Sequence, residues 1–565
     1  MRRIFFFITL LVLVVMFVPW LGDTLFNTKG EPREAVVAVS MINSGNYILP
    51  ESCGGDIPYK PPFLAWLIVA ASWLTGGVTE FSSRLPSAVA TILMAMGGYC
   101  FVRRHSRDFN DITAMGATII TVTSFEVFRA ATACRVDMVL TACIVGALYV
   151  MYNHSFNKKK PAVSLAAILL MSCAVLTKGP VGMVLPCLVM WVFYRIRGER
   201  LWRSTWTLAV MGILSLVVPA AWYWAAAMQG GERFIALAME ENFGRFTGTM
   251  SYDSHVNPFY YNFITIIAGM APYTLLALFS VFAIKKWRGS NRGWWERFRD
   301  MDPLKLFSLV TVVVIVAFYC IPKSKRSVYL LPVYPFLAYF VTLLIMWLVK
   351  RRSLAINVYS LVLGILAWVV PTVLLAVHFM DVEPLLAGQK ESDAAFVLGL
   401  HDAPLTWVSW IFIILAYIAG GVVFSVACRG GKGWLISSAL AATVAIYLNL
   451  SATAFPAILN VKSDITLARE INRLQPSGDV YGYINVDMLR FYTAGFYTGD
   501  RIVPIEKMKK APVAGESVYL LVGEKDLDEF NKEYGARVSL TPVYTAPRKS
   551  CDTKQVTTIY RMTYK

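Results

Sequence analysis

The chain has 565 residues, of which 57% are hydrophobic and only 16% charged, with a mean hydropathy of +0.55. Soluble chains carry roughly 25% charged residues, so the composition excludes a soluble multidomain protein and points to a polytopic membrane protein. The formal net charge of +17 is read as basic loops against anionic lipid headgroups, and no nucleic-acid partner is expected.

The chain opens MRRIFFFITLLVLVVMFVPW. Two arginines precede an apolar run and no small-x-small cleavage site follows, so the segment reads as a retained signal anchor. Apolar runs near 4–21, 84–102, 112–128, 136–152, 161–177, 180–196, 206–226, 259–284, 304–321, 328–349, 355–378, 405–427 and 433–450 predict about thirteen transmembrane helices. The segment PPFLAWLIVAASWLTG (61–76) is short and begins Pro-Pro. Placed in the outer interface, it leaves RRHSR (103–107), NKKK (157–160), RIRGERLWR (195–203), KKWRGSNR (285–292), KRR (350–352) and CRGGK (428–432) on one side. The positive-inside rule makes that side the cytoplasm. The N-terminus is then cytoplasmic and the C-terminus outside.

From about residue 455 the pattern changes. DVYGYI, RIVPI, SVYLLVG and QVTTIYRM read as short strands, and SDITLAREINRL and EKDLDEFNKEYG as amphipathic helices. The expected organisation is a membrane unit over 1–454, with interfacial helices in its first outer loop (about 28–76), and a soluble outer α/β domain over 455–565. Nine cysteines are scattered without a Cys-x-x-Cys. Cys53, Cys134 and Cys551 fall where a disulfide is permitted, but spacing assigns no pairing.

This threading gathers the unusual residues on the outer side. GEPREAVVAV (30–39) puts Glu31, Arg33 and Glu34 at the start of an amphipathic helix. Capping against the helix dipole explains Glu34 as well as function does, whereas Glu31 is favoured as functional. YKPP (59–62) brings Lys60, CRVDM (134–138) brings Arg135 and Asp137, and TKGP (177–180) brings Lys178. EENFGRF (240–246) and DSH (253–255) contribute Glu241, Arg245 and His255. PKSKRSVY (322–329) adds Lys323, Lys325, Arg326 and Tyr329. Ionisable groups at membrane depth are costly and are by default functional. Snorkelling is the competing account of an outer Lys325 or Arg326, weighed somewhat below function, and ion pairing with Arg135 that of Asp137. Jointly, several cations at headgroup depth suit a lipid-borne phosphate. A neighbouring carboxylate suits deprotonation of an acceptor for displacement at a sugar carbon. No Walker-type or dinucleotide-binding glycine motif is present, so a lipid-activated donor is expected to supply the energy.

At these residues the chain resembles the aminoarabinose transferases that modify lipid A, within the protein O-mannosyltransferase-like group of GT-C glycosyltransferases. IPYKPP (57–62) matches a Tyr-x-Glu-Lys-Pro-Pro phrase, SGNYILP (44–50) stands where a Gly-Asp-Trp-x-x-Pro phrase does, and RVDM, Thr177-Lys178-Gly179 and Lys323-x-Lys325 with Tyr329 follow in the same order. The likeness covers roughly residues 1–350. It implies a GT-C fold, a polyprenyl-phosphate-sugar donor and inverting transfer on the periplasmic face of a bacterial inner membrane. It implies Glu31 and Asp137 at the reaction centre, and donor contacts from Arg33, Tyr59, Lys60, Lys178, Arg245, Lys323, Lys325 and Tyr329. Glu34, Glu241 and His255 are left as substrate or acceptor residues. The family's first-loop Asp aligns with Gly30, so Glu31 is expected to take its place. The Glu that helps some relatives hold a divalent metal aligns with Tyr59, so no metal is expected to be required, with His255 the single remaining candidate ligand. The expected acceptor is lipid A or another glycolipid, and the alternative a secreted protein. A lipid-linked-sugar flippase, which would need polar groups near mid-membrane, and a non-catalytic scaffold are the readings from other classes. The protein is expected to act as a monomer.

Overall fold

The computed structural model describes residues 2–58, 60–158, 160–244, 256–281, 301–386, 388–389, 391–486, 489–508 and 515–565. Among these, nine helical segments are long and apolar enough to cross a membrane, and two further pairs would each make one bent span. The first eleven helices are α1 (Arg2–Phe17), α2 (Pro32–Ser44), α3 (Phe63–Thr75), α4 (Glu80–His105), α5 (Asp111–Thr123), α6 (Phe125–Ala131), α7 (Val136–Lys158), α8 (Leu165–Lys178), α9 (Val181–Ile196), α10 (Leu201–Ser215) and α11 (Val217–Met239).

The two expected spans near 112–128 and 259–284 are not straight. The chain bends 71° between α5 and α6 and 103° between Tyr261–Gly269 and Tyr273–Val281. The two breaks meet, Phe125 N donating to Ala271 O at 3.0 Å. Two further expected spans are the short apolar helices α8 and α9. The segment that composition left ambiguous is α3, 13 residues between Pro62 and a left-handed Gly76. At 1.5 Å per residue it reaches about 20 Å, short of a hydrocarbon core of about 30 Å.

α4 begins with a reciprocal cap, Ser82 N to Thr79 Oγ1 at 3.2 Å and Thr79 N to Ser82 Oγ at 2.8 Å. Its 26 residues separate Glu80 and Arg84 from Arg103 by most of the bundle's height. At the Arg103 end, Arg103 pairs with Asp111 at 2.8 Å and Lys305 with Asp108 at 3.0 Å. The C-terminal sheet sits at the other end, where the Tyr497 hydroxyl donates to Glu80 at 2.6 Å.

That sheet has five strands, β1 (Val480–Tyr483), β2 (Ile502–Pro504), β3 (Ser517–Gly523), β4 (Val538–Lys549) and β5 (Val556–Tyr564), in the order β2-β1-β3-β5-β4. β1 pairs in parallel with β2 and β3, and β5 runs antiparallel to β3 and β4. Four strands match the sequence reading. β4, which contains Pro542 and Pro547, is a strand the sequence reading did not include. Its place at the sheet edge explains the tolerance, since an edge strand need not donate every N–H. All nine cysteines are free thiols, and Cys53, Cys134 and Cys551 are buried.

Candidate active site

The site is built on the first loop. Pro32 opens α2, where its fixed φ suits the first turn. Glu31 stands just before it, 8% exposed, and does not cap the helix. It turns to Arg84 of α4, which donates to it from Nε at 2.9 Å and Nη2 at 3.2 Å. Cys134 N adds a third bond at 2.9 Å. Burial alone would raise the Glu31 pKa, but Arg84 and the Cys134 amide bring it below the usual carboxylate range. Arg84, 2% exposed, also donates from Nη1 to Leu21 O at 2.9 Å and Thr24 Oγ1 at 2.8 Å. It thereby ties the exit of the first span to α2. Arg84 stands at the first position of the apolar run 84–102, and the sequence reading gave it no role.

One turn on, Glu34 accepts a hydrogen bond from Lys60 Nζ and lies 3.5 Å from Arg33 Nη2. Burial again raises its pKa, and Lys60 and Arg33 overcome that and hold it low. Lys178, the last residue of α8, donates from Nζ to Asp137 Oδ1 at 2.6 Å, and its ammonium lies 4.4 Å from the Tyr329 ring centroid. Gly179 ends α8 with φ +85°, a conformation L side chains rarely adopt, and a Cβ there would meet Asn242. Lys325 is 5% exposed and donates to Pro322 O at 2.6 Å, whereas Lys323 is exposed. Glu241 is half-buried in a single wide turn after α11. Tyr59, Arg245 and His255 lie outside the described residues.

A cavity of about 580 Å³ opens between α2, residues 48–58 and 60–65, the end of α11, and Val486, Leu489 and Tyr492. Arg33, Glu34 and Lys60 line it from the first loop, Arg233 from α11, and Tyr492 from the C-terminal unit. Glu31, Asp137 and Lys178 are not among its described lining residues. Asp137 is nevertheless near enough to act electrostatically on both Lys60 and Glu34. The contributions of Arg233 and Tyr492 had no signal in the sequence, because they depend on how distant segments pack.

The C-terminal unit is fastened to this loop. Asp56, itself a lining residue, pairs with Arg490 at 2.8 Å and Lys507 at 2.6 Å. Asp500 accepts from Ser40 Oγ at 2.7 Å and Cys53 N at 2.9 Å. Phe26 N donates to the Tyr497 hydroxyl at 2.9 Å. Farther off, Asp464, Cys551 and Asp552 bring metal-capable atoms within 4.8 Å of one another. Their carboxylates already accept bonds from Ser550, the Cys551 amide and Thr493, which makes the trio a hydrogen-bonded knot.

A multi-helix membrane unit with its ionisable cluster at one end, under a five-stranded sheet, is the architecture of a GT-C fold. Comparison with known proteins agrees. Residues 59–224 match the family described as dolichyl-phosphate-mannose-protein mannosyltransferase. An uncharacterised protein of Aquifex aeolicus is 28% identical over 58% of this chain and 62% of its own length. The undecaprenyl phosphate-α-4-amino-4-deoxy-L-arabinose arabinosyl transferase 2 of Proteus mirabilis is 25% identical over 74% of this chain and 70% of its own. The crystal structure of ArnT from Cupriavidus metallidurans bound to undecaprenyl phosphate superposes with a TM-score of 0.69 at 19% identity, covering 99% of this chain and 97% of that one. By sequence the chain is similar to the aminoarabinose transferases, and its fold is that of the GT-C class.

Proposed function

We propose that this protein transfers a sugar from a polyprenyl-phosphate donor to an acceptor at the periplasmic face of a bacterial inner membrane, with lipid A or another glycolipid as the acceptor. The observation that carries the proposal is the cavity in which Lys60, Arg33 and Glu34 meet. Lys60 and Arg33 hold the donor phosphate and stabilise it as it leaves. Glu34 faces the cavity as the carboxylate that takes the acceptor proton, and attack from the side opposite the phosphate inverts the sugar carbon. Asp137 orients Lys178. The catalytic part expected of Glu31 passes, in this proposal, to Glu34, and Glu31 fixes the loop through Arg84.

The relatives named as undecaprenyl-phosphate aminoarabinose transferases support undecaprenyl phosphate as the carrier. In this proposal no metal is required, since Tyr59 offers no carboxylate. The basic end of the bundle, with the N-terminus, faces the cytoplasm, residues 1–454 form the catalytic membrane unit, and residues 455–565 form a periplasmic domain that walls the cavity. The protein works as a monomer. A secreted-protein acceptor is the second reading, favoured by the mannosyltransferase family match over residues 59–224.

Mass spectrometry of lipid A and of the polyprenyl-phosphate-sugar pool, in cells with and without the protein, tests this. Loss of a lipid A substituent with accumulation of the lipid-linked sugar is expected. Accumulation with unchanged lipid A moves the acceptor elsewhere, and no change in either pool while the protein is expressed overturns the transferase.

A further inference from the structure

Arg135 has no part in the site as described so far, yet its place is unusual. It precedes α7 and lies against Gly30. A Cβ built on Gly30 would stand 2.8 Å from Arg135 Cζ and closer still to Nη2. Gly30 needs no special backbone conformation, since its φ lies outside the positive range. What the position demands is therefore space for a guanidinium.

That guanidinium acts electrostatically on both Glu31 and Asp137. Among the described residues, however, its side chain makes no hydrogen bond or ion pair. The nearby carboxylates are already taken: Glu31 by Arg84, Glu34 by Lys60 and Asp137 by Lys178. Arg135 is thus positive charge beyond what the acids need, half-buried and with its donors uncommitted. Its backbone is pinned, Arg135 N donating to Ala133 O at 2.9 Å and Arg135 O accepting from Ser87 Oγ at 3.3 Å. A planar donor fork on a fixed backbone, close enough to Asp137 to act on it together with Lys178 and Lys60, suits an anion with several oxygens.

We infer that Arg135, seated on the bare face of Gly30, is a phosphate-binding residue of the site. Its ligand is the phosphate of a lipid substrate. The inference rests on the transferase reading and adds to it the reason why this chain carries glycine where the family it resembles carries an acid. A carboxylate at position 30 would occupy the seat and neutralise the cation.

The test measures binding of undecaprenyl phosphate, and separately of a phosphorylated glycolipid, to the purified full-length protein in detergent. Arg135→Gln is expected to weaken binding about tenfold or more for at least one of them, and the lipid affected identifies which substrate's phosphate is held. Arg135→Lys retains part of the affinity. Gly30→Ala displaces the guanidinium and is expected to reproduce the Arg135→Gln loss. In Gly30→Ala/Arg135→Lys, the narrower ammonium fits beside the new methyl, so binding recovers to the Arg135→Lys level. That recovery separates a ligand contact from a general packing defect. If wild-type protein binds a lipid phosphate and Arg135→Gln binds both lipids equally well, the inference is overturned and the transferase reading survives. If the wild-type protein binds neither lipid, both are overturned. Additive losses for Gly30→Ala and Arg135→Lys overturn the seat.

Discussion

The Lys178 ammonium donates to Asp137 at 2.6 Å, joining the last residue of α8 to the first turn of α7. Both side chains are largely buried, at 17% and 8% side-chain exposure. Removing one partner of such a pair leaves an uncompensated charge and costs about 3 kcal/mol or more. Lys178→Met is therefore expected to lower both the melting temperature and turnover. Asp137→Asn, which keeps the shape but no longer fixes Lys178, is expected to cut kcat/KM by about 100-fold. A double variant, Asp137→Asn/Lys178→Met, should recover most of the stability and none of the activity. Recovery of activity in the double variant would reduce the pair to a structural one.

The two first-loop acids are expected to separate cleanly. Glu34 lines the cavity and Glu31 does not. Glu34→Gln also removes the charge that the largely buried Lys60 pairs with and should cost stability, but turnover per folded molecule should still fall by about 100-fold. Glu31→Gln breaks the charge balance with Arg84 and should act mainly through the folded fraction, costing about 3 kcal/mol. Thermal unfolding and turnover per folded molecule, measured together, decide this. A stable but inactive Glu31→Gln protein would return Glu31 to the reaction centre.

What the sequence revealed and what it hid follow from the range of the forces involved. Apolar run length is a local property, and it located the membrane segments. It said nothing of the bend at Ser124, which depends on α6 meeting the Ala271 carbonyl across the bundle. The motifs brought Glu34, Lys60, Asp137 and Lys178 into view because each carries charge into an apolar setting. They did not distinguish Glu31 from Glu34, because which acid turns to Arg84 is decided by α4 packing under the loop. Alternation found four strands and did not reach β4, which carries two prolines and lies at the sheet edge. The helix Tyr492–Tyr497, which docks the C-terminal unit, has only six residues and no periodicity to announce it.

Gly179 offers a sharp test of the Thr-Lys-Gly turn. Gly179→Ala is expected to cost about 1–2 kcal/mol from the positive φ alone. It also pushes on Asn242, whose Cγ would lie 3.3 Å from the new methyl. Because Lys178 immediately precedes the strained residue, the loss of kcat/KM should exceed what the lowered stability explains. A loss of stability with unchanged turnover per folded molecule would free the turn from any part in placing Lys178.

The Tyr497 hydroxyl joins three parts of the chain, donating to Glu80 at 2.6 Å and accepting from Phe26 N at 2.9 Å. Tyr497→Phe removes both bonds and leaves a buried amide without its acceptor, at a cost of about 1–3 kcal/mol. Hydrogen exchange should then rise in residues 492–500 and in the first loop together. Protection unchanged in the first loop would show that the C-terminal unit does not steady it.

The knot around Cys551 makes the stability of the C-terminal unit depend on pH. Burial first, and then the Asp464 charge, push the Asp552 carboxyl from 3.8 up to about 7, with the Thr493 bonds and Lys554 opposing. Asp464 is raised as well, chiefly by burial. A carboxyl whose pKa is higher in the folded than in the unfolded state binds its proton more tightly when folded. Its contribution is complete below about pH 4 and is lost as pH rises towards 7. The difference in melting temperature between wild type and Asp552→Asn isolates this contribution from all other titrating groups. The wild type is expected to lose ground steadily to Asp552→Asn from pH 5 to pH 8, because the amide imitates the protonated acid and cannot ionise. A difference that stays constant over that interval, or that grows in favour of the wild type, would mean that Asp552 is ionised in the folded protein throughout and that the knot is held by charge.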